Sequence, residues 1–288
     1  MQRVIFDCDN TMGLLFKEVD DGLTLLYLLG CPDIELIAVT TTFGNGTVDQ
    51  SFTQTQKLLA QVGRPDIPVF KGADQRYASP TPAAHFLAET AAAHPGEISL
   101  LATGPLGNLR GAAELDACFF NNLKQIACMG GYLAPLRICQ KDLAELNLSA
   151  DPEASYQVFK AACPVTLMNA HTCIQASMDR AEIARLTFWP WKIRRTLYLW
   201  LLAFGRFCGV SEFYLWDLLP AVYLSHPALF TLKPAHIAST IENLENGTLI
   251  LGTEGSSQSL NMPSTITDMD RFRTILLDAW KSVIIKCK

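Results

Sequence analysis

Two acidic pairs lie close together near the start of the chain. Asp7 and Asp9 end an apolar run, Val4-Ile5-Phe6, and Asp20 and Asp21 head a second apolar segment. That segment continues through Leu23, Leu25, Leu26, Tyr27, Leu28 and Leu29 and stops at Gly30, a pattern that predicts a helix. A strand running into a helix would gather four carboxylates at the carboxyl end of the first strand. In open α/β sheets that edge is where ligands bind. Four like charges repel unless some are neutralised, and a hard divalent cation with oxygen ligands does this most simply. A purely structural reading makes Asp20 a helix cap and Asp21 a complement to the helix dipole. It accounts for the second pair and leaves the first unexplained.

Further polar residues fall at the ends of other strand-like runs. Residues 34–40 are β-branched and open into Thr41-Thr42-Phe43-Gly44-Asn45-Gly46. Residues 98–102 open into Thr103-Gly104-Pro105-Leu106-Gly107-Asn108, and residues 125–129 into Gly130-Gly131. Glu145 and Asn147 follow a loop over 132–143, and Asp217 begins an apolar helix. Between these lie helical patterns over 48–62 and 83–93, and a helix opened by Asp151-Pro152. Strand-like runs cover 67–70 and 164–168. Residues 180–213 read as helical and aromatic, 235–251 as a β-hairpin turning at Asn246-Gly247, and about 268–280 as a final helix. The alternation predicts an α/β fold: an open, mostly parallel, doubly wound (Rossmann-like) sheet with helices on both faces. A helical segment and a C-terminal β-hairpin and helix complete it, all in one domain over 1–288. No glycine-rich phosphate cradle of either common pattern occurs.

Composition narrows the field. The chain is 49% hydrophobic and 18% charged, with a formal charge of -5. No block of Lys and Arg occurs, so neither nucleic acid nor a membrane surface is an expected partner. Nine cysteines are scattered without C-x-x-C spacing. They read as reduced thiols of a cytoplasmic protein, and the strand at the very N-terminus leaves no room for a signal peptide. The apolar stretch 197–207 is too short to span a membrane.

Taken in order, these motifs resemble the nucleoside hydrolases, the purine/pyrimidine N-ribohydrolase family. The resemblance rests on Asp7-x-Asp9 with Asp20-Asp21, on Thr40-Thr41-Thr42-Phe43-Gly44-Asn45, and on Thr103-Gly104-Pro105-Leu106-Gly107-Asn108. Met129-Gly130-Gly131, Ala144-Glu145-Leu146-Asn147 with Asp151-Pro152-Glu153-Ala154, and Trp216-Asp217 extend it over most of the chain. It implies hydrolysis of the N-glycosidic bond of a small-molecule nucleoside. It also implies one Ca²⁺ held by Asp9, Asp21, the Thr103 carbonyl and Asp217, with Asp7 in support. Asp20, Asn45, Glu145 and Asn147 would hold ribose hydroxyls. Asp9 would activate a calcium-bound water, and Trp216 would stack on the leaving base. A homodimer or homotetramer is the expected assembly.

The chain departs from the family pattern in two places. Ten residues, 10–19, separate Asp9 from Asp20 where the family usually has three. Leu14, Leu15 and Phe16 in that insertion are expected at the mouth of the pocket, as a lid, or against a neighbouring subunit. Trp216 stands where one branch has the histidine that protonates the base.

Two rival readings remain at this level. Asp7-Cys8-Asp9-Asn10-Thr11 also resembles the opening motif of haloacid-dehalogenase-type phosphatases, with Asp7 as nucleophile, Asp9 as acid/base and Mg²⁺ as metal. That motif needs a later Lys and acidic pair, which the sequence does not offer convincingly. The other rival is a catalytically silent nucleoside-binding protein. His171 reads as structural, and Cys8 has no neighbouring His to activate it.

Overall fold

The architecture comes from a computed structural model, which describes residues 1–76, 81–253 and 258–284. Its strands, in chain order, are β1 (Gln2–Cys8), β2 (Ile34–Thr41), β3 (Val69–Lys71), β4 (Ile98–Ala102), β5 (Gln125–Met129) and β6 (Leu136–Ile138). They continue with β7 (Lys141–Leu143), β8 (Val165–Met168), β9 (Ser177–Asp179), β10 (Glu212–Tyr214), β11 (Pro234–Ile237) and β12 (Gln258–Asn261). Eight of these form one sheet in the order β11-β12-β8-β5-β4-β1-β2-β3, all pairs parallel except β11 with β12.

β1 is the hinge of this order. From it the chain winds outward through β2 and β3 on one side, and through β4, β5 and β8 on the other. The connections therefore diverge beyond the carboxyl end of β1, which leaves a crevice there. Asp7 and Asp9 occupy that end because they follow directly on the buried apolar run Val4-Ile5-Phe6 of β1.

Alternation along the strands builds two cores. Val4, Phe6, Leu101 and Ala127 face one layer with Leu23, Leu26 and Trp280, while Ile5, Leu100, Ile126 and Leu87 face the other. The first helix, Asp20–Gly30, is buried almost throughout its length. The last helix, Met269–Ser282, covers it, and Trp280 Nε1 donates to the Leu23 carbonyl at 3.0 Å. Asp20 does not cap this helix by side chain; its Oδ1 accepts from the next residue's N–H at 3.2 Å. That leaves both acids of the pair for the crevice.

Three local expectations change. Residues 132–143 are not a plain loop, for β6 and β7 pair as a small antiparallel ribbon. Residues 180–213 split into helices Arg180–Arg185 and Trp191–Cys208, followed by β10, which pairs with β9. Pro190 sits at the N-cap of the longer helix, since proline lacks the N–H to continue an earlier one. The antiparallel pair in the sheet joins β11 to β12; the expected hairpin survives as an antiparallel bridge of Ile237 with Leu251, but it does not close by a tight turn at Asn246-Gly247. There a short helix, Ile241–Leu244, intervenes with a Thr240/Asn243 capping box. Gly247, at φ 67°, closes it by donating to the Leu244 carbonyl at 2.9 Å. An Asn-Gly pair satisfies a hairpin turn and a left-handed helix terminus equally well, and the capping box decided between them.

Candidate active site

The crevice is assembled from four strand ends and two helix starts. Asp7 is fully buried beneath it, and its Oδ1 accepts from Thr40 Oγ1 at 2.5 Å and Asn108 Nδ2 at 2.7 Å. Asn108 also donates to the Thr41 carbonyl and accepts from the Ala73 N–H, so Asp7 ties the ends of β1 and β2 and the loop after β3 into one unit. Asp9 comes next, 1% exposed. The Asn45 N–H donates to its Oδ2 at 2.5 Å, and its Oδ1 has no hydrogen-bond partner. Gly44 makes this approach possible. It sits at φ 154°, and a Cβ there would lie 1.9 Å from Asp9 Oδ2.

The remaining acids converge from the helices. Asp21 Oδ1 accepts from Thr103 Oγ1 at 2.6 Å, and Thr103 N donates to the Asp7 carbonyl at 2.9 Å. Asp217 is 4% exposed and precedes the helix Leu218–Ser225 without capping it by side chain. Asp9, Asp20, Asp21 and Asp217 lie close enough that each shifts the titration of the others. Burial is the main force on all of them and raises every pKa: Asp7 to about 7, Asp9 to about 6 and Asp20 to about 7. Asp21 and Asp217 are also driven well above the usual carboxylate range, by burial first and then by the neighbouring acids. A dry cluster of acids in which Asp7 Oδ2 and Asp9 Oδ1 have no hydrogen-bond partner, with a hydroxyl and a backbone carbonyl beside it, is an all-oxygen donor set that suits a hard divalent cation. Among the described residues no group of three or more His, Cys, Asp or Glu side chains is already disposed to hold an ion.

Above the acids opens a pocket of about 360 Å³. Asp20, Asn45, Thr103, Glu145, Asn147 and Asp217 supply its polar wall, and Tyr132, Leu136, Leu143, Phe204 and Trp216 its apolar wall. A polar floor beneath an aromatic mouth suits an amphipathic small molecule. Trp216 lines the pocket and is also part of the core, 9% exposed, with its ring 5.1 Å from that of Tyr214.

Of the sequence-predicted site residues, Asp20, Asn45, Thr103, Glu145, Asn147, Trp216 and Asp217 line this pocket. Asp7, Asp9 and Asp21 are bonded to its lining residues, Asp9 by the Asn45 N–H, Asp21 by Thr103 and Asp7 through its carbonyl to the Thr103 N–H. Asn147 Nδ2 donates to the Thr103 carbonyl at 2.8 Å and to the Met129 carbonyl at 3.1 Å. Its amide oxygen is therefore the atom that can meet a ligand, and the residue also fixes the Thr103 carbonyl. Glu145 accepts from the N–H groups of Gly131, Leu148 and Ser149, holding the turn that carries Asn147. Burial raises its pKa, and these N–H groups pull it back.

The chain was compared with known proteins. The model of the inosine-uridine preferring nucleoside hydrolase family matches residues 4–274. The chain belongs to that family. Uridine nucleosidase 1 of Arabidopsis thaliana is 29% identical over 266 residues, covering 81% of this chain and 76% of the relative. The pyrimidine-specific ribonucleoside hydrolase RihA of Shewanella woodyi is 28% identical over 210 residues, 64% of each. Among solved structures, a plant nucleoside hydrolase superposes with a TM-score of 0.84 at 21% identity over 97% of this chain and 99% of its own. A purine-preferring ribonucleoside hydrolase from Gardnerella vaginalis gives 0.85 at 19%, over 97% and 98%.

This nucleoside hydrolase is accordingly an enzyme that cleaves N-glycosidic bonds of small nucleosides, and neither rival reading is supported. The phosphatase motif fails structurally as well. Asp7, its would-be nucleophile, lies below the pocket with its Oδ1 held by Thr40 and Asn108. Among the described residues no helix is long and apolar enough to cross a membrane.

The inserted loop 10–19 behaves differently from the lid expectation. Leu15 and Phe16 are 66% and 54% exposed, Phe16 has φ 57°, and neither lines the pocket. Glu18 does line it, and sequence reasoning missed it. The available signal was its position two residues before Asp20, on the segment that must return to the crevice.

Proposed function

We propose that this enzyme is a calcium-dependent ribonucleoside hydrolase working through the residues gathered at the end of β1. The observation that carries the reading is the unpartnered Oδ1 of buried Asp9 in a cluster where Asp20, Asp21 and Asp217 act on one another's charge. Asp9, Asp21, Asp217 and that carbonyl would hold the ion, and Asn147 would keep the carbonyl aimed by its 2.8 Å bond. A bound divalent cation supplies a water of lowered pKa in this setting. Asp9 accepts the proton of the attacking water through Oδ1, while the Asn45 N–H steadies its other oxygen. Asp20, Asn45 and the Asn147 amide oxygen grip the ribose hydroxyls, with Glu145 shaping that wall. Carboxylates around the sugar favour the positive charge that develops on it as the glycosidic bond breaks. Trp216, with Tyr132 and Phe204 beside it, covers the base and keeps water from the departing ring.

Uridine is the first substrate to try, because the sequence relatives are named as uridine nucleosidases and pyrimidine-specific hydrolases. Action in the cytoplasm is supported by eight free cysteines among the described residues. A homodimer or homotetramer is supported by Trp191, Leu202 and Phe207, all more than half exposed on the helix Trp191–Cys208. The functional test is release of free base from uridine, cytidine, inosine and adenosine, beside an aryl phosphate. Base release alone supports the reading, and phosphate release alone ends it.

A further inference from the structure

The insertion that sets this chain apart does not hang free. Its Met12 N–H donates to Asn10 Oδ1 at 2.9 Å, its Leu14 N–H donates to the Thr11 carbonyl at 3.0 Å, and Thr11 Oγ1 donates to the Glu18 carbonyl at 3.0 Å. Lys17 Nζ reaches across to the Asn45 carbonyl at 2.7 Å. Val19 is fully buried. These anchors fix the returning end of the loop against the turn that carries Asn45. They present Glu18 in the pocket wall, where the Asn45 side chain hydrogen-bonds its carboxylate.

An ionised carboxylate can only accept hydrogen bonds. The pocket wall already holds the carboxylates of Asp20, Glu145 and Asp217, so Glu18 adds a fourth acceptor. The protein has few donors left to meet them. Asn147 spends its amide on two backbone carbonyls and Thr103 its hydroxyl on Asp21, while Lys17, which does not line the pocket, turns one ammonium N–H to the Asn45 carbonyl. A wall rich in acceptors and poor in donors fits a ligand that brings several hydroxyls of its own.

We propose that Glu18 is a substrate-binding residue that accepts a hydroxyl of the sugar beside Asp20 and Asn45, so that the inserted loop extends the ribose-recognition wall. This rests on the nucleoside-hydrolase reading of the same pocket. It gives the insertion a role in gripping the sugar, where an apolar lid would have acted on the base.

The test compares the full-length wild type with Glu18→Gln and Glu18→Ala. Each is measured for uridine turnover, for inhibition by D-ribose and by uracil separately, and for bound calcium by metal analysis. Losing a hydrogen bond to a charged acceptor is expected to raise KM and weaken ribose inhibition about tenfold in Glu18→Ala, with a smaller effect in Glu18→Gln. Uracil inhibition and calcium content should stay at wild-type values. Unchanged ribose inhibition overturns the proposal, as does a loss confined to uracil, which would place Glu18 at the base. Loss of calcium in Glu18→Gln also overturns it, by making the residue part of the metal site. A wild type that neither releases uracil nor responds to ribose brings down the underlying reading, and is told apart from failure at Glu18 alone because it shows without any variant.

Discussion

Stability of this protein should depend on calcium and pH together, in a direction the buried acids dictate. Burial raises Asp9 from 3.8 to about 6 and Asp20 from 3.8 to about 7. A carboxyl whose folded pKa lies above its unfolded value favours the protonated form in the folded state. Folding then meets no penalty below the unfolded pKa, and stability is lost as pH rises from about 4 through the folded pKa. For Asp9 alone the shift amounts to on the order of 3 kcal/mol once pH exceeds about 7. Roughly half of that falls between about pH 5 and about pH 7.5, and Asp20 adds a similar or larger share. A cation that neutralises the cluster removes the penalty, so calcium should stabilise strongly at the higher pH and weakly at the lower. For a chain of this size 1 kcal/mol corresponds to roughly 2 °C, so the expected shift at neutral pH is several degrees. The assay is thermal unfolding with chelator or with millimolar calcium, at about pH 5 and about pH 7.5. Chelated protein that is equally stable at both, or a calcium shift of the same size at both, would refute the reasoning.

Three further outcomes follow from single side chains. Asp217→Ala should lose bound calcium, and metal analysis showing wild-type content in that variant would take Asp217 out of the ligand set. Gly44→Ala should cost at least about 1–3 kcal/mol of strain at its unusual φ and displace the Asp9 carboxylate, so both the melting temperature and turnover should fall. If turnover survives, the close approach of Gly44 to Asp9 has no bearing on catalysis. Trp216→Phe should lower kcat/KM for nucleosides by between about twofold and tenfold while calcium content stays constant, a loss in line with the roughly 0.5–1.5 kcal/mol of an aromatic contact. Unaltered kinetics would return Trp216 to the core alone.

The sheet was legible because its central strands are apolar on both faces and end in polar turns. Val4-Ile5-Phe6 before Asp7, and Leu100-Leu101 before Thr103, announce buried parallel strands and the crevice beyond them. Asp7, Asp9, Asn45 and Thr103 could be placed at the crevice for the same reason, since each ends or follows a strand, and Asp20, Asp21 and Asp217 because each stands at a helix start, whereas Glu145 and Asn147 came only from the family resemblance. What could not be read depends on contacts distant in sequence. Asn147 meets the Thr103 carbonyl across 44 residues, and nothing in either segment says so. The ribbon of β6 and β7 has three-residue strands, too short to show alternation, yet it supplies Leu136 and Leu143 to the pocket. The insertion departs from the lid expectation, though its exposed Leu15 and Phe16 are still where the subunit-contact expectation would have them. Its anchoring instead runs through Thr11, Lys17 and Val19, leaving Leu15 and Phe16 outward and Glu18 inward.

The central claim is that this site breaks a ribonucleoside's C–N bond with a divalent cation and Asp9 acting together. It is tested most directly by measuring uracil and ribose released from uridine by the wild type as purified, after chelation and after reloading with calcium, beside Asp9→Asn. The account predicts equal amounts of base and sugar from the loaded wild type, loss on chelation, recovery with calcium, and a fall of several orders of magnitude in Asp9→Asn. Release that ignores both chelator and Asp9→Asn, or no release from the calcium-loaded enzyme with any ribonucleoside, would contradict it.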